Sequence, residues 1–370
     1  MDILWEVLIY AVTFIITYRK SGSTVKEGYV GDRSGEYQTY CRMIERRGWY
    51  DDYLLNTCLF STYFPSLVYR MFKRWKWEIF RASAPVFYAL VPAFTYLTAR
   101  YYFDTILSLT GAAFVLSHFY FMGDADTGRN GIAGGLIAVS LWGLLGGQYW
   151  VFGAAAVLVV FAHYTASFIY FFVLVMTALL NKAPDTAIYV IIGIYTVAML
   201  LWYGVFTRLR ELYLTVIKNA VKGEPSRCTT AEYDSNYSLG QMVQKSVSAV
   251  KKRFITKSRL LLLTTVVILG FIAGGYLLFY HSLSPVAASL TTSFLLVTCI
   301  GMISPALATA VGIYRIYFTG VSAITLLFLG FVETLSGWTG FTAYGIATGV
   351  IIVYALCNNG GMAYLLGEKR

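Results

Sequence analysis

The sequence predicts an all-α membrane protein, a bundle of about eleven transmembrane helices with amphipathic interfacial helices in two long loops. Of its 370 residues, 58% are hydrophobic and 13% are charged, and the mean hydropathy is +0.62. Soluble domains carry about a quarter charged residues, so this composition excludes an ordinary soluble protein. Apolar runs that approach the length needed to cross a bilayer core about 30 Å thick recur through most of the chain.

The apolar runs define the predicted spans and, from them, the division of the chain. The first run, at residues 3–18, is poor in the small residues of a cleavage site and predicts a retained helix. Six runs follow in close succession and four come after a polar segment: 82–99, 106–122, 132–145, 150–162, 167–180, 187–206, 260–280, 286–304, 314–332 and 343–364. We therefore expect an N-terminal transmembrane module (1–206), a basic amphipathic loop (207–259) and a C-terminal group of helices (260–370).

Two long polar segments, residues 19–81 and 207–259, interrupt the spans. Six spans separate them, and an even number places both segments on the same membrane face. In the second segment apolar residues recur at helical spacing, beginning with Leu209, Leu212, Tyr213 and Val216. This stripe predicts a helix lying in the plane of the lipid headgroups, and a solvated loop with ordinary helices is the alternative.

The charge balance favours an anionic partner at the membrane. There are 29 Lys and Arg residues against 19 Asp and Glu, a formal net charge of +10, and much of the excess lies in the two long segments. Nothing resembles a nucleic-acid motif, so we expect no nucleic acid and instead lipid headgroups or a lipid-linked phosphate. The positive-inside rule would place both segments in the cytoplasm, but bound phosphate is an independent reason for the charge, and the orientation stays open.

An acidic motif, GDRSGEY at residues 31–37, follows the first span by about a dozen residues. Asp32 and Glu36 are four positions apart and share a face if the segment is helical. A carboxylate at a membrane–water boundary can act as a general base towards a hydroxyl. The alternative is a solvated acid pair beside Arg33.

The turn after the third span adds two more acids on the predicted face of Asp32. Asp124 and Asp126, with a third carboxylate from another loop, could hold a divalent cation such as Mg²⁺ or Mn²⁺. Ordinary turn chemistry explains the same residues. Arg129, at the mouth of the next span, carries the fork of donors that suits a phosphate oxygen.

Two more polar interruptions of apolar runs are candidate site residues. His163 and Tyr164 end the fifth span, again on the predicted face of Asp32, and a buried structural histidine is the alternative. Arg315 lies in an apolar region, where a charge is costly unless it meets an anion or a cavity. It is a candidate phosphate or carboxylate partner, although Glu333 could pair with it structurally.

The chain resembles the GT-C superfamily of integral-membrane glycosyltransferases, and more closely an uncharacterised archaeal multi-pass membrane family related to it. The resemblance rests on the order of its motifs over residues 31–331, among them GDRSGEYQTYCRMIERRGW, GRNGIAGG, FAHYTASFIYFF and YRIYFTGVSAITLLFLGF. It implies a multi-pass plasma-membrane enzyme that moves a sugar from a polyprenyl-phosphate donor to a lipid, glycan or protein acceptor at the extracytoplasmic face.

The resemblance also implies roles for individual residues. Asp32 would be the catalytic base with Glu36 in support, while Arg129, His163 and Arg315 would hold the donor phosphate. Tyr164 and the basic loop residues Arg208 and Arg210 would complete the substrate site. One position departs from the pattern, because Gly131 stands two residues after Arg129, where an acid is expected.

Two other classes of function remain open from the sequence. A transporter or flippase of an anionic lipid-linked substrate would use the same basic residues without a general base, but repeated halves with matching broken helices are not visible. A membrane assembly subunit could keep the fold without catalysis, and Gly131 is compatible with it.

Overall fold

A computed structural model of the chain describes residues 2–24, 58–60, 71, 82, 84–117, 129–181, 186–205, 207–222, 283–303 and 319–357. Within these ranges every regular element is a helix, which confirms the predicted all-α class. The helices are α1 (Asp2–Thr24), α2 (Leu90–Ala99), α3 (Thr105–Ser117), α4 (Arg129–Leu145), α5 (Tyr149–Ala162), α6 (Tyr164–Leu180), α7 (Thr186–Gly204), α8 (Thr207–Lys222), α9 (Pro285–Ile303), α10 (Val321–Thr339) and α11 (Ala343–Cys357).

Ten of the predicted spans fall on these helices, and the remaining one, 260–280, lies outside the described residues. The helices α7 and α10 are long and apolar enough to cross a membrane, judged by length and composition alone. Shorter apolar helices of 10–17 residues, among them α4, α5 and α6, make up much of the rest. The predicted amphipathic segment at Leu209 is also a helix, α8.

The helix α10 differs most from its predicted span, which was 314–332. The structure has its helix at Val321–Thr339, so that it continues through Glu333. It ends where Gly340 takes a φ of 72°, a left-handed conformation that closes a helix. The prediction failed because an apolar run stops at the first charge, whereas a cap residue decides where the helix stops.

Glycines let neighbouring helices pack closely. The helices α4 and α5 form a hairpin whose turn contains Gly147 at a φ of 69°. A Cβ on Gly143 would lie 2.6 Å from the backbone nitrogen of Phe152 in α5. Nearer the start of α4, a Cβ on Gly135 would overlap the carbonyl oxygen of Phe87.

The buried apolar side chains form two main clusters. The larger joins α4, α5, α6 and α7 with part of α9, and Phe152, Tyr170 and Phe294 are among its fully buried members. The second joins α3, α9, α10 and α11 around Phe103 and Leu107. The helix α9 contributes to both clusters and so connects the two halves of the bundle.

The helix ends that face each other in the pairs α2 and α3, α4 and α5, α6 and α7, and α10 and α11 lie together at one end of the bundle, which we call the turn end. A Cβ on Gly146 in the α4–α5 turn would overlap the hydroxyl of Tyr101 in the α2–α3 turn. Ile191, near the start of α7, lies 3.4 Å from the Cβ position of Gly153 in α5. Ala347 of α11 belongs to the same buried cluster as the residues of the α2–α3 turn.

Exposed aromatic side chains concentrate at the turn end. Among the described residues seven aromatic side chains are exposed, and all but Phe172 lie at this end: Tyr101, Trp150, Tyr189, Trp338, Phe341 and Tyr344. Tyr102 lies beside them and forms a 3.0 Å hydrogen bond with the hydroxyl of Ser284. Burial raises the pKa of Tyr102 despite that hydrogen bond, so its phenol stays neutral at physiological pH.

The opposite end of the bundle, which we call the break end, gathers the starts of α4 and α6 and the ends of α5 and α7. The hydroxyl of Tyr203, at the end of α7, donates a 2.8 Å hydrogen bond to the carbonyl of Val160 in α5. The helix α1 runs towards the same end, because Ile9 packs with Tyr96 while Ile16 packs with Tyr88.

Candidate functional site

The helical conformation is interrupted between α5 and α6 at a single residue, His163, and we call this interruption the break. Its φ of −160° and ψ of 117° are extended, so it interrupts what would otherwise be one helix. Its side chain is 2% exposed. The break predicted from a histidine in an apolar run is therefore confirmed as a structural feature.

The imidazole of His163 caps the new helix. Its Nδ1 accepts a 3.2 Å hydrogen bond from the backbone N–H of Ala166, as an N-cap side chain does. Because Nδ1 accepts this hydrogen bond, Nε2 is the ring nitrogen that can donate. The ring stacks on Tyr164 with centroids 5.2 Å apart and planes 9° from parallel. The break thus holds an oriented imidazole at the break end.

Two tyrosines of α7 bind the first turn of α6 and the end of α5. The hydroxyl of Tyr195 lies 2.7 Å from the hydroxyl of Ser167 and donates to its carbonyl at 2.8 Å. Ser167 is one helical turn after His163, and its own backbone N–H donates to the His163 carbonyl at 2.9 Å. Together with the Tyr203 bond to Val160, these contacts hold α7 against both sides of the break.

A second hydroxyl pair lies deeper, between α4 and α6. The hydroxyls of Ser140 and Tyr170 are 2.8 Å apart, and Ser140 also donates to the carbonyl of Phe152 at 3.1 Å. The ring of Tyr170 stacks on Phe294 of α9 and meets Tyr195 edge-on at 6.1 Å. Buried hydroxyl groups that all form hydrogen bonds rigidify a core. The helices beside the break are therefore held in fixed positions.

Arg129 is the first residue of α4, and this helix starts at the break end. Two residues later, Gly131 is buried, and a Cβ there would overlap the ring of Tyr88. Tyr88 is itself fully buried. The volume that an acidic side chain at position 131 would need is therefore filled by an aromatic ring, which accounts physically for the glycine.

The basic residues Arg208 and Arg210 lie in the first turn of α8, directly after the end of α7. Because Tyr203 fixes the end of α7 beside Val160, the start of α8 is at the break end as well. The side chain of Arg210 is exposed. Of the predicted site residues, the structure thus brings the backbones of Arg129, His163, Tyr164 and both arginines of α8 to one end of the bundle.

The other predicted site residues, Asp32, Glu36, Asp124, Asp126 and Arg315, lie outside the described residues. Among the residues that the structure describes, no group of three or more His, Cys, Asp or Glu could hold a metal ion. Glu333, the predicted alternative partner of Arg315, interacts electrostatically with Asp104 at the turn end.

The described residues nearest to the segment that carries Asp32 are the end of α1 and residues 58–60. The helix α1 runs to the break end. Cys58 is fully buried in the cluster that contains Tyr164 and Tyr203. The ring of Phe60 meets Phe87, before α2, at 6.0 Å.

Sequence reasoning missed the hydroxyls that support the break. Ser167 follows His163 by four residues, and Tyr203 follows Tyr195 by eight, so each pair lies on one helix face. That spacing is the signal that could have identified them, but tyrosine and serine are ordinary inside apolar helices.

Comparison with known proteins adds no assignment to this geometry. No protein-family model matches the chain, and no curated protein matches it significantly.

Proposed function

We propose that the chain is a multi-pass membrane glycosyltransferase of GT-C type that uses a polyprenyl-phosphate sugar donor. The observation that carries the proposal is the gathering at the break end of a buried imidazole, His163, with the first residue of α4 and the first turn of α8. The residues at these two helix starts include Arg129, Arg208 and Arg210. A hydrogen-bond donor with several arginines suits a phosphate.

The membrane part of the proposal has separate support. The helix α7 has an exposed apolar face, on which Leu200 is 69% and Leu201 is 71% exposed. Exposure of such a face to water is unfavourable, whereas contact with lipid is not. The exposed tyrosines and tryptophans of the turn end are the residues that collect at a membrane interface. We therefore infer that the helices cross a bilayer with the turn end at one surface, as about eleven spans would require.

In the proposed reaction Asp32 takes the proton from an acceptor hydroxyl, and Glu36 supports it. The acceptor oxygen then attacks the anomeric carbon of the sugar while the bond to the lipid phosphate breaks. Arg129, Arg315 and His163 stabilise the negative charge that develops on the departing phosphate. A single displacement of this kind inverts the configuration at the anomeric carbon. A divalent cation at Asp124 and Asp126 would add to the same charge stabilisation.

Replacement of the proposed base tests the function. Membranes containing the full chain would be incubated with polyprenyl-phosphate mannose or glucose carrying a tritiated sugar, and transfer to endogenous acceptors would be counted. We expect Asp32→Asn to lower transfer by about 10²–10⁴-fold. Asp104→Asn is the matched control, because Asp104 lies at the turn end. Its carboxylate caps α3 by accepting a hydrogen bond from the backbone N–H of Leu107, and asparagine can accept the same bond.

One observation favours a second candidate, an assembly subunit without catalysis. Tyr88 fills the place beside Gly131 where the resemblance expects an acid. If the wild-type chain transfers no sugar with either donor, and Asp32→Asn still supports its cellular role, this second candidate replaces the first.

A further inference from the structure

The helix α8 presents an apolar stripe that no described residue covers. Leu214, Ile217 and Val221 are 61%, 55% and 84% exposed, and their spacing of three and four residues puts them on one face. Val216, on a neighbouring face, is buried. The helix therefore rests on the protein with one side and leaves an adjacent apolar side open.

Cations border this apolar stripe. Arg210, Lys218 and Lys222 are all exposed, and the one acid among the described side chains of α8 is Glu211. An apolar stripe bordered by lysines fits the boundary between acyl chains and headgroups, where the side-chain stems lie in lipid and the ammonium groups reach the phosphates.

The length of α7 places α8 at the depth of a membrane surface. Tyr189 belongs to the aromatic group of the turn end, and Val205 follows it by sixteen residues, which is about 24 Å of helix. That distance is close to the thickness of a bilayer core, about 30 Å. Leu201 and Val205, at the break end of α7, are exposed apolar residues as well.

We propose that α8 docks on an anionic lipid surface at the break end, with Leu214, Ile217 and Val221 among the acyl chains and Lys218 and Lys222 on lipid phosphates. A second copy of the chain is a poorer occupant, because a two-fold contact would bring the same cations against each other. The proposal rests on the membrane-spanning part of the proposed function, but it does not depend on glycosyl transfer.

Spin labels on the full chain would measure the depth of α8. The chain would be reconstituted in vesicles of phosphatidylcholine, with or without phosphatidylglycerol, after its own cysteines are replaced. A label on Ile217→Cys should be shielded from a water-soluble nickel relaxant and accessible to oxygen in the anionic vesicles. Thr215→Cys, an exposed position on the other side of α8, is the matched control and should stay accessible to nickel.

A second measurement uses the chain with its native cysteines. The preference of the reconstituted protein for spin-labelled phosphatidylglycerol over phosphatidylcholine should fall about fivefold for each lysine lost in Lys218→Gln and Lys222→Gln. Equal nickel access at positions 215 and 217, or an unchanged lipid preference in both variants, would overturn the docking. Failure of the wild type to float with vesicles at alkaline pH would instead overturn the membrane-spanning proposal.

Discussion

Replacing Gly131 by alanine tests the close approach of Tyr88, just before α2, to α4 at the break end. A Cβ at this position would overlap three atoms of the Tyr88 ring. Tyr88 is fully buried in a cluster with Val91, Val115 and Val321, so its ring has no open space to enter. We therefore expect Gly131→Ala to destabilise the protein.

The magnitude follows from two opposing effects. Forcing an extra methyl group into a packed core costs about 1–3 kcal/mol. Alanine in a helix interior is about 1 kcal/mol better than glycine. Because three ring atoms are overlapped, the steric cost should be near the upper end of its range, and the net loss should be about 2 kcal/mol. Gly193→Ala is the matched control, since nothing lies within 4 Å of its Cβ position in α7.

Unfolding of purified variants in detergent, followed by tryptophan fluorescence, would measure both effects. Gly131→Ala should unfold at a lower temperature than wild type, and Gly193→Ala at the same or a higher one. In the double variant Gly131→Ala with Tyr88→Leu, the loss of stability should be smaller than the sum of the losses in the two single variants, because the smaller side chain at position 88 removes the overlap. A Gly131→Ala variant as stable as Gly193→Ala would refute the reasoning.

Three further predictions concern the break and the orientation of the chain. Tyr195→Phe should lower the unfolding free energy by about 1–2 kcal/mol, because the Ser167 hydroxyl and carbonyl lose a buried partner. His163→Ala should cost about 1 kcal/mol through loss of the α6 cap, whereas His163→Asn should keep the cap and lower only sugar transfer. Single cysteines at Ser34 and Ser235 should react with an impermeant reagent in intact cells, as an extracytoplasmic site requires.

Each of these predictions has an internal check. Tyr189→Phe, at an exposed tyrosine of the turn end, should leave stability unchanged. Equal transfer by His163→Asn and wild type would remove His163 from the phosphate site. Protection of both cysteines until lysis would show that the positive-inside count was right and would end the extracytoplasmic mechanism.

The order of the helices could be predicted from hydropathy, because the backbone N–H and C=O groups of an apolar run need hydrogen bonds that a helix provides. The helices α5 and α6 begin within three residues of their predicted spans, and His163 separates them as expected. What hydropathy could not predict was the end of α10, which depends on Gly340 rather than on apolar length.

The candidate site was predictable only in part. A polar interruption of an apolar run identified His163 as a candidate, and the donors of a guanidinium at the mouth of a span identified Arg129. The contacts that hold them were not predictable: Tyr88 meets Gly131 across 43 positions of sequence, and Tyr195 meets Ser167 across 28. Such contacts depend on which helix faces pack together, and a single sequence carries little information on that.

The shortness of α5 has a consequence for how a ligand would arrive. Its 14 residues span about 21 Å, so a chain that crosses a bilayer core of about 30 Å would hold His163 at the boundary between acyl chains and headgroups, near the proposed depth of the apolar stripe of α8. A lipid-borne ligand would then reach the break by lateral diffusion within one leaflet. Its encounter rate would follow its mole fraction in the membrane and would not depend on its concentration in water.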